Sequence, residues 1–401
     1  MTALAASPGN AGTAALAEQF QLHDPVMPAQ VAELARGWKA DLVVIGPEDP
    51  LAAGAADAVR AAGIACLGPS ASAARIESSK SFAKDVMAAA GVPTAPARLV
   101  RSASELDLAL ASSGPPYVVK DDGLARGKGV VVTSDVESAR AHAARVLHSG
   151  RFVLLEKFLS GPELSLFSLV DGDHVRPLLA AQDFKRAYDN DRGPNTGGMG
   201  SYAPVPWVSP RLIDRMVRDI VQPVVGELAR RGTPYSGLLY AGLAITEDGP
   251  HVLEFNCRFG DPETQSVLAL LKTPLAQLLY ATATGQLKEA TELEWAAGAA
   301  VTVVLAAPGY PDAVRTGGVI TGAEQHGVLH GGTRRGEDGR LHSSAGRVLS
   351  VVGTGVDLAA ARAAAYERLS TIHLDGAQYR ADIALRAARG DGPRGIDDEP
   401  Q

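Results

Sequence analysis

In HVLEFNCRFGDPETQ, His251 to Gln265, a run of strand formers (Val252, Leu253, Phe255) carries Glu254, Asn256 and Arg258 at a spacing of two. Side chains two apart on a strand share a face, so a carboxylate, an amide and a guanidinium form one row. Three unpaired polar groups in a core would be costly. The row is either the solvated face of an edge strand or a place where something charged is held. Pro262, Glu263 and Thr264 then have the character of a helix's first turn.

A second stretch, YVVKDDGLARGKGVVV from Tyr117 to Val132, ends one strand in Lys120 and starts another at Val130, with Lys128 at the glycine-rich tip between them. Glycines let backbone amides approach phosphate oxygens, and a lysine adds a point charge; a plain flexible hairpin tip has the same composition. A Walker A loop is excluded, because three residues separate Gly123 from Gly127 and Gly129 follows Lys128. A protein kinase loop is excluded by Val132 in place of the third glycine and by the lack of HRD and DFG. Further on, Glu156-Lys157-Phe158-Leu159 closes a strand and Gly161-Pro162-Glu163 opens the next. The backbone of such a strand end can read an adenine edge and Glu163 can take ribose hydroxyls, although a β-turn with a solvated acid fits equally.

The elements that must position these groups alternate in an α/β pattern. Strands are expected at Asp41 to Ile45 and Ile64 to Leu67 around a helix from Leu51 to Ala62, a βαβ rhythm. One helix is expected from Ser72 to Ala90, stopped by Gly91, with Pro93 and Pro96 marking a linker. Strands follow at Tyr117 to Lys120, Val130 to Thr133 and Phe152 to Glu156. After a loop-like AQDFKRAYDNDRGPNTGGMG, a long helix runs from Ser209 to a stop at Gly232, then strands over Gly237 to Ile245 and His251 to Asn256.

Composition bounds the rest. The 401 residues are 46% hydrophobic and 21% charged, the balance of an ordinary globular protein, and the length allows about two or three domains. A net charge of −7 argues against binding a nucleic-acid backbone, so any nucleotide is a small one. Cys66 and Cys257 are too few for a disulfide framework or a zinc cluster, and a reducing cytoplasm is expected. No apolar run approaches membrane-spanning length.

Lys80, Lys120, GLARGKG, EKFLSGPE and EFN follow one another in the order of the nucleotide site of the ATP-grasp ligases. PGNAGTA at Pro8, GPEDPLAAG at Gly46, GPS at Gly68, AQDFKRAYDNDRGPNTGGMGSYAP at Ala181, EFNCRFGDPETQ at Glu254 and QYRADIA at Gln378 narrow the match. Over nearly its whole length the chain resembles the phosphoribosylamine–glycine ligase family. The resemblance implies an α/β chain with an ATP-grasp fold: a Rossmann-like N-terminal domain over 1–75, an ATP-grasp domain with a mobile glycine-rich hairpin over 76–290, a small C-terminal domain over 297–387 and a disordered polar tail over 388–401.

It also implies roles. Lys80, Lys120, Gly127, Lys128, Gly129, Glu156, Phe158, Leu159 and Glu163 would bind ATP, while Glu254 and Asn256 would hold Mg²⁺ or Mn²⁺, ions suited by hard oxygen ligands. Arg258 and Lys128 would stabilise the transferring phosphoryl group. Asp183, Lys185, Arg186, Asn195, Thr196, Gly197 and Gly198, with Arg258, would line the acceptor side. The implied reaction joins glycine to 5-phosphoribosylamine through glycyl phosphate, with the hairpin closing over ATP to exclude water. The implied partners are these small molecules, with no nucleic acid or membrane, and a monomer is expected.

The chain departs from the family pattern at Phe184, commonly histidine, at Arg126, commonly a small residue, and at Asp121 beside Lys120. The strand and GGREHA-like turn that precede PGNAGTA in relatives are absent, so a truncated and unstable N-terminal domain is expected. Two alternatives follow: a ligase with a different acceptor, or an ATP-binding relative without turnover.

Overall fold

The computed structural model describes residues 3–124 and 129–392. In the N-terminal region Leu42–Val44 and Ala65–Leu67 pair in parallel across the helices Glu48–Ala53 and Ala55–Ala61, the expected βαβ unit. The helix breaks at Gly54, whose φ of +93° suits glycine and ends the first segment. Ala5–Ala6 and Glu18–Gln19 form a second short parallel pair.

The expected helix from Ser72 to Ala90 is two helices, Ala71–Ser78 and Lys80–Ala90. Ser79 leaves helical geometry and its hydroxyl accepts from Phe82 N, capping the second helix, while Gly91 ends it in the left-handed region. The break places Lys80 at the start of a helix, where it reaches the glycine-rich segment. Beyond it, the proline linker is pinned down: Val252 N donates to Pro93 O at 2.9 Å and Thr94 Oγ1 to Val252 O at 2.7 Å.

Two antiparallel sheets face the central cleft. The smaller has the order Ala97–Val100, Val153–Lys157, Tyr117–Asp121, Val130–Thr133; the larger has His174–Pro177, Glu163–Asp171, Ser236–Thr246, Gly249–Asn256. The strand Ser236–Thr246 is buried along nearly all its length, which explains its apolar run. The long helix expected from Ser209 is interrupted: Pro210–Met216, a wider π turn over Val217–Val221, then Gln222–Arg230. Pro223 lacks the amide that would continue an α ladder, and the π turn absorbs the loss.

The stretch expected as a loop is strand-rich. Gln182–Asp183 and the hairpin Arg186–Tyr188 with Arg192–Asn195 lie within it, and Gly200–Ala203 starts at its last residue. Gly200–Ala203 pairs with Ala299–Ala306, so the C-terminal five-stranded sheet (Gln182–Asp183, Gly200–Ala203, Ala299–Ala306, Arg347–Gly355, Val328–His330) begins well before residue 297. These strands are short, polar and glycine-rich, so they carry no alternation for a sequence reading to find. Residues 388–392 of the expected tail are also placed, with the helix Leu385–Ala388 just before them. Among the described residues no helix is long and apolar enough to cross a membrane.

Candidate active site

Glu254 is the hub. It lies on the edge strand Gly249–Asn256, opposite Gly242, with a β-bulge between the Glu254 and Val252 pairings. The bulge leaves Leu253 without a partner in register, and the Leu253 carbonyl accepts from Lys120 Nζ at 2.8 Å. Burial alone would raise the Glu254 carboxyl, but Lys185, Lys120, Lys80 and Arg258 together hold it below the ordinary glutamate value. Four cations around one carboxylate form a positive basin fitted to an anion larger than the glutamate itself. Asn256, buried, follows it along the same strand face. Arg258 lies past the strand end, off the expected row, because the strand stops at Asn256.

The cations are held individually. Lys120 and Lys84 share Glu156, at 2.9 and 3.2 Å. Lys80 Nζ donates to Gly123 O at 2.9 Å, and burial pulls its ammonium below the usual lysine value. Asp122, the next residue before Gly123, accepts from Ser81 N at 2.9 Å and Ser81 Oγ at 2.6 Å, so the base of the glycine-rich segment is tied to the helix of Lys80. Arg258 is braced by Glu48 at 3.2 Å and Glu77 at 3.3 Å. Glu77 also takes Cys257 N at 2.7 Å; burial raises its carboxyl while Arg258 and Cys257 oppose the rise.

Two cavities meet at this hub. One, of about 870 Å³, is lined by Val118, Lys120, Val132, Phe158, Leu159 and Glu163, and also by Arg186 and Asn195. The other, of about 640 Å³, is lined by Lys80, Gly129, Asn256, Arg258 and Gly197, together with Glu48, Asp261 and Arg347. Glu156, Asp183, Lys185, Thr196 and Glu254 line both. Lys185 pairs with Glu163 at 2.5 Å, while neighbouring carboxylates lift its ammonium well above the usual range despite burial. Asp183 is pushed up to about 7 by burial; Lys185 works against the rise and Glu263 and Glu163 add to it.

Nearly all the expected site residues are thus brought together. Gly198 lines neither cavity. At φ +109° a side chain there would sit 2.4 Å from Pro262 Cδ, so it serves close packing against the GDPET turn. Gly127, Lys128 and Arg126 lie outside the described residues. Sequence reasoning missed Lys84, Glu48, Glu77, Glu263 and Arg347. Glu263, in the GDPETQ motif already quoted, is buried and accepts from Tyr240 Oη at 2.6 Å. Arg347 comes from the C-terminal sheet and donates to Gly197 O at 2.7 Å and Asp261 O at 2.5 Å. Among the described residues no group of three or more His, Cys, Asp or Glu could hold a metal unaided.

Comparison with known proteins covers most of the chain. Residues 1–77, 78–264 and 300–386 match the N domain, the ATP-grasp (A) domain and the C domain of phosphoribosylglycinamide synthetase. The chain is 60% identical to the phosphoribosylamine–glycine ligase of Mycobacterium tuberculosis over 395 residues, 97% of this chain and 93% of that one. It is 58% identical to that of Streptomyces coelicolor, covering 97% and 94%. The crystal structure of phosphoribosylamine–glycine ligase from Thermotoga maritima superposes with a TM-score of 0.82 at 34% identity, covering 94% and 93%. Biotin carboxylase from Campylobacter jejuni, at 14% identity and a TM-score of 0.69, shares the fold alone. With three consecutive domain matches, near full-length identity and an ATP-grasp cleft of the same architecture, the chain belongs to the phosphoribosylglycinamide synthetase family.

Proposed function

We propose that the two cavities are the two halves of an ATP-dependent ligation site, joining the carboxyl of glycine to the amine of 5-phosphoribosylamine with release of ADP and phosphate. The observation that carries this reading is Glu254, ringed by Lys80, Lys120, Lys185 and Arg258 where the cavities meet. In the larger cavity, Val118 and Val132 with the strand end at Phe158 and Leu159 offer apolar walls and backbone groups to a purine, and Glu163 lies beside them for ribose hydroxyls. The polyphosphate then runs to the basin of cations. The smaller cavity, with Glu48, Arg258, Gly197 and Arg347, takes glycine and the phosphoribosyl amine.

Mg²⁺ would be held by Glu254 and Asn256, with Mn²⁺ as a substitute, and its chemistry is to neutralise charge on the phosphates. The donor set fits: one carboxylate kept ionised and one amide leave positions for phosphate and water. Arg258, braced by two carboxylates, presents its fork toward the transferring phosphoryl group and leaves the covalent chemistry to the substrates. The glycine carboxylate attacks the γ-phosphorus, giving glycyl phosphate and ADP. The amine then attacks the acyl carbon, phosphate leaves, and the amine's proton passes to solvent or to a nearby carboxylate such as Asp183.

The test is an ADP-release assay with fresh phosphoribosylamine. Release that needs both glycine and phosphoribosylamine supports the reading. Release with another amine in an acceptor screen, and none with phosphoribosylamine, would replace it with the altered-acceptor reading.

A further inference from the structure

QYRADIA, Gln378 to Ala384, has no part in the chemistry above, yet it holds a fully buried arginine. Arg380 sets Nε and one terminal nitrogen on Asp382 at 2.8 and 2.7 Å. Its other terminal nitrogen reaches Asp191 Oδ1 at 2.8 Å and the Arg186 carbonyl at 3.2 Å. Its guanidinium carbon stands 4.9 Å from the centre of the Phe184 ring. The surrounding backbone repeats the grip. Asn190 N donates to Asp382 Oδ2 at 2.8 Å, Ala381 N to Asp189 Oδ1 at 2.8 Å, and Gln378 Nε2 to Ala187 O at 3.0 Å.

Only the arginine of this cluster is fully buried, Asp191 being largely exposed, and a buried charge held by such pairs is weak support for stability, since apolar residues of similar volume often do as well. What a guanidinium fork adds over an apolar plug is direction. The direction matters here because of what is gripped. Phe184 and Arg186 alternate with Asp183 and Lys185, both of which line both cavities. From the opposite side the GPNTGGMG strap holds the same stretch: Thr196 N and Oγ1 donate to Lys185 O at 2.8 and 2.9 Å, Met199 N to Phe184 O at 2.8 Å, and Phe184 N to Gly200 O at 3.0 Å.

We infer that Arg380, which lies fully buried behind the wall of the larger cavity, is a positioning residue for the ligation, setting Asp183 and Lys185 where the two cavities meet through the Phe184 ring and the Arg186 carbonyl. The inference rests on the ligation reading above. It also gives Phe184 a use: an aromatic face under the guanidinium.

The experiment uses the full chain with Arg380→Lys, which keeps the charge and loses the fork. ADP release is measured while glycine, phosphoribosylamine and ATP are varied in turn, and melting is followed alongside. The expected result is a tenfold or larger loss of kcat/KM for glycine or phosphoribosylamine with the KM for ATP changed less than threefold. A lowered Tm with wild-type constants at a temperature where the variant is folded would make Arg380 a plain structural staple and overturn the inference. Should Arg380→Lys fail to fold, Asp191→Ala removes one arm and keeps the Asp382 fork; a threefold or larger loss confined to the same constants supports the inference, and unchanged constants overturn it. A wild-type chain that releases no ADP with glycine and phosphoribosylamine removes the ligation reading and this inference together. An active wild type with indifferent variants removes the inference alone.

Discussion

At the scale of single residues, the cleft is governed by how charge is compensated. Glu254 stays ionised because four cations surround it, so removing it should leave those cations without their shared counter-ion and the proposed Mg²⁺ site without its carboxylate. Glu254→Ala and Asn256→Ala are each expected to raise the Mg²⁺ concentration needed for half-maximal ADP release, and the double variant to be nearly inactive. Wild-type Mg²⁺ dependence in the double variant would remove both from the metal site. Asp183 behaves oppositely. Its carboxyl is raised to about 7, chiefly by burial, so between about pH 4, the unfolded value, and pH 7 the folded state binds more protons than the unfolded one. Stability therefore falls as pH rises through that window and the penalty is complete above it. Asp183→Asn should melt higher than wild type at pH 8, with the gap closing by pH 5; a constant gap would show that Asp183 ionises without penalty. The residues missed from sequence divide in two. Glu48 sits inside GPEDPLAAG and Lys84 one helical turn after Lys80, where the quoted motif and an i+4 spacing could have found them, whereas Glu77 and Arg347 lie in no motif and are brought to the site only by the fold.

At the scale of elements, the strands beside the nucleotide cavity were legible from β-branched runs and their glycine stops. Val130–Thr133 has the expected bounds, and Tyr117–Asp121 and Val153–Lys157 differ by a residue. Hidden were the breaks, because the apolar period continues across Ser79 and across Val217–Val221 while the capping hydroxyl and Pro223 act locally. Gly161 shows how tightly two elements can meet. Its φ is +148°, and a Cβ there would stand 2.1 Å from the Ile245 carbonyl oxygen, at the seam between the strand entering at Glu163 and its neighbour Ser236–Thr246. Gly161→Ala must displace backbone, which costs about 1–3 kcal/mol. Denaturant unfolding should show that loss, and because Leu159 and Glu163 flank the position, ATP should bind more weakly in the folded variant. Unchanged unfolding would mean that the seam yields without strain.

At the scale of the whole molecule, the site is assembled from every part of the chain: Glu48 from the N-terminal unit, Lys80 and Lys84 from the helix Lys80–Ala90, Lys120 from the smaller central sheet, Glu254 from the larger one and Arg347 from the C-terminal sheet. One consequence lies in the pairing of Gly200–Ala203 with Ala299–Ala306. A gene divided in the irregular stretch 291–294 would put the two strands of that ladder on separate polypeptides. The shorter carboxy-terminal fragment, alone, would present the bare edge of Ala299–Ala306, a strand buried along its full length in the intact chain, and such an edge invites self-association. Made together, the two fragments should find each other, because each carries strands that the other's part of the sheet lacks. Co-expression is expected to recover a soluble, co-purifying pair where the carboxy-terminal fragment by itself is insoluble. Two separately soluble, non-associating fragments would mean that this shared ladder contributes little to holding the molecule together.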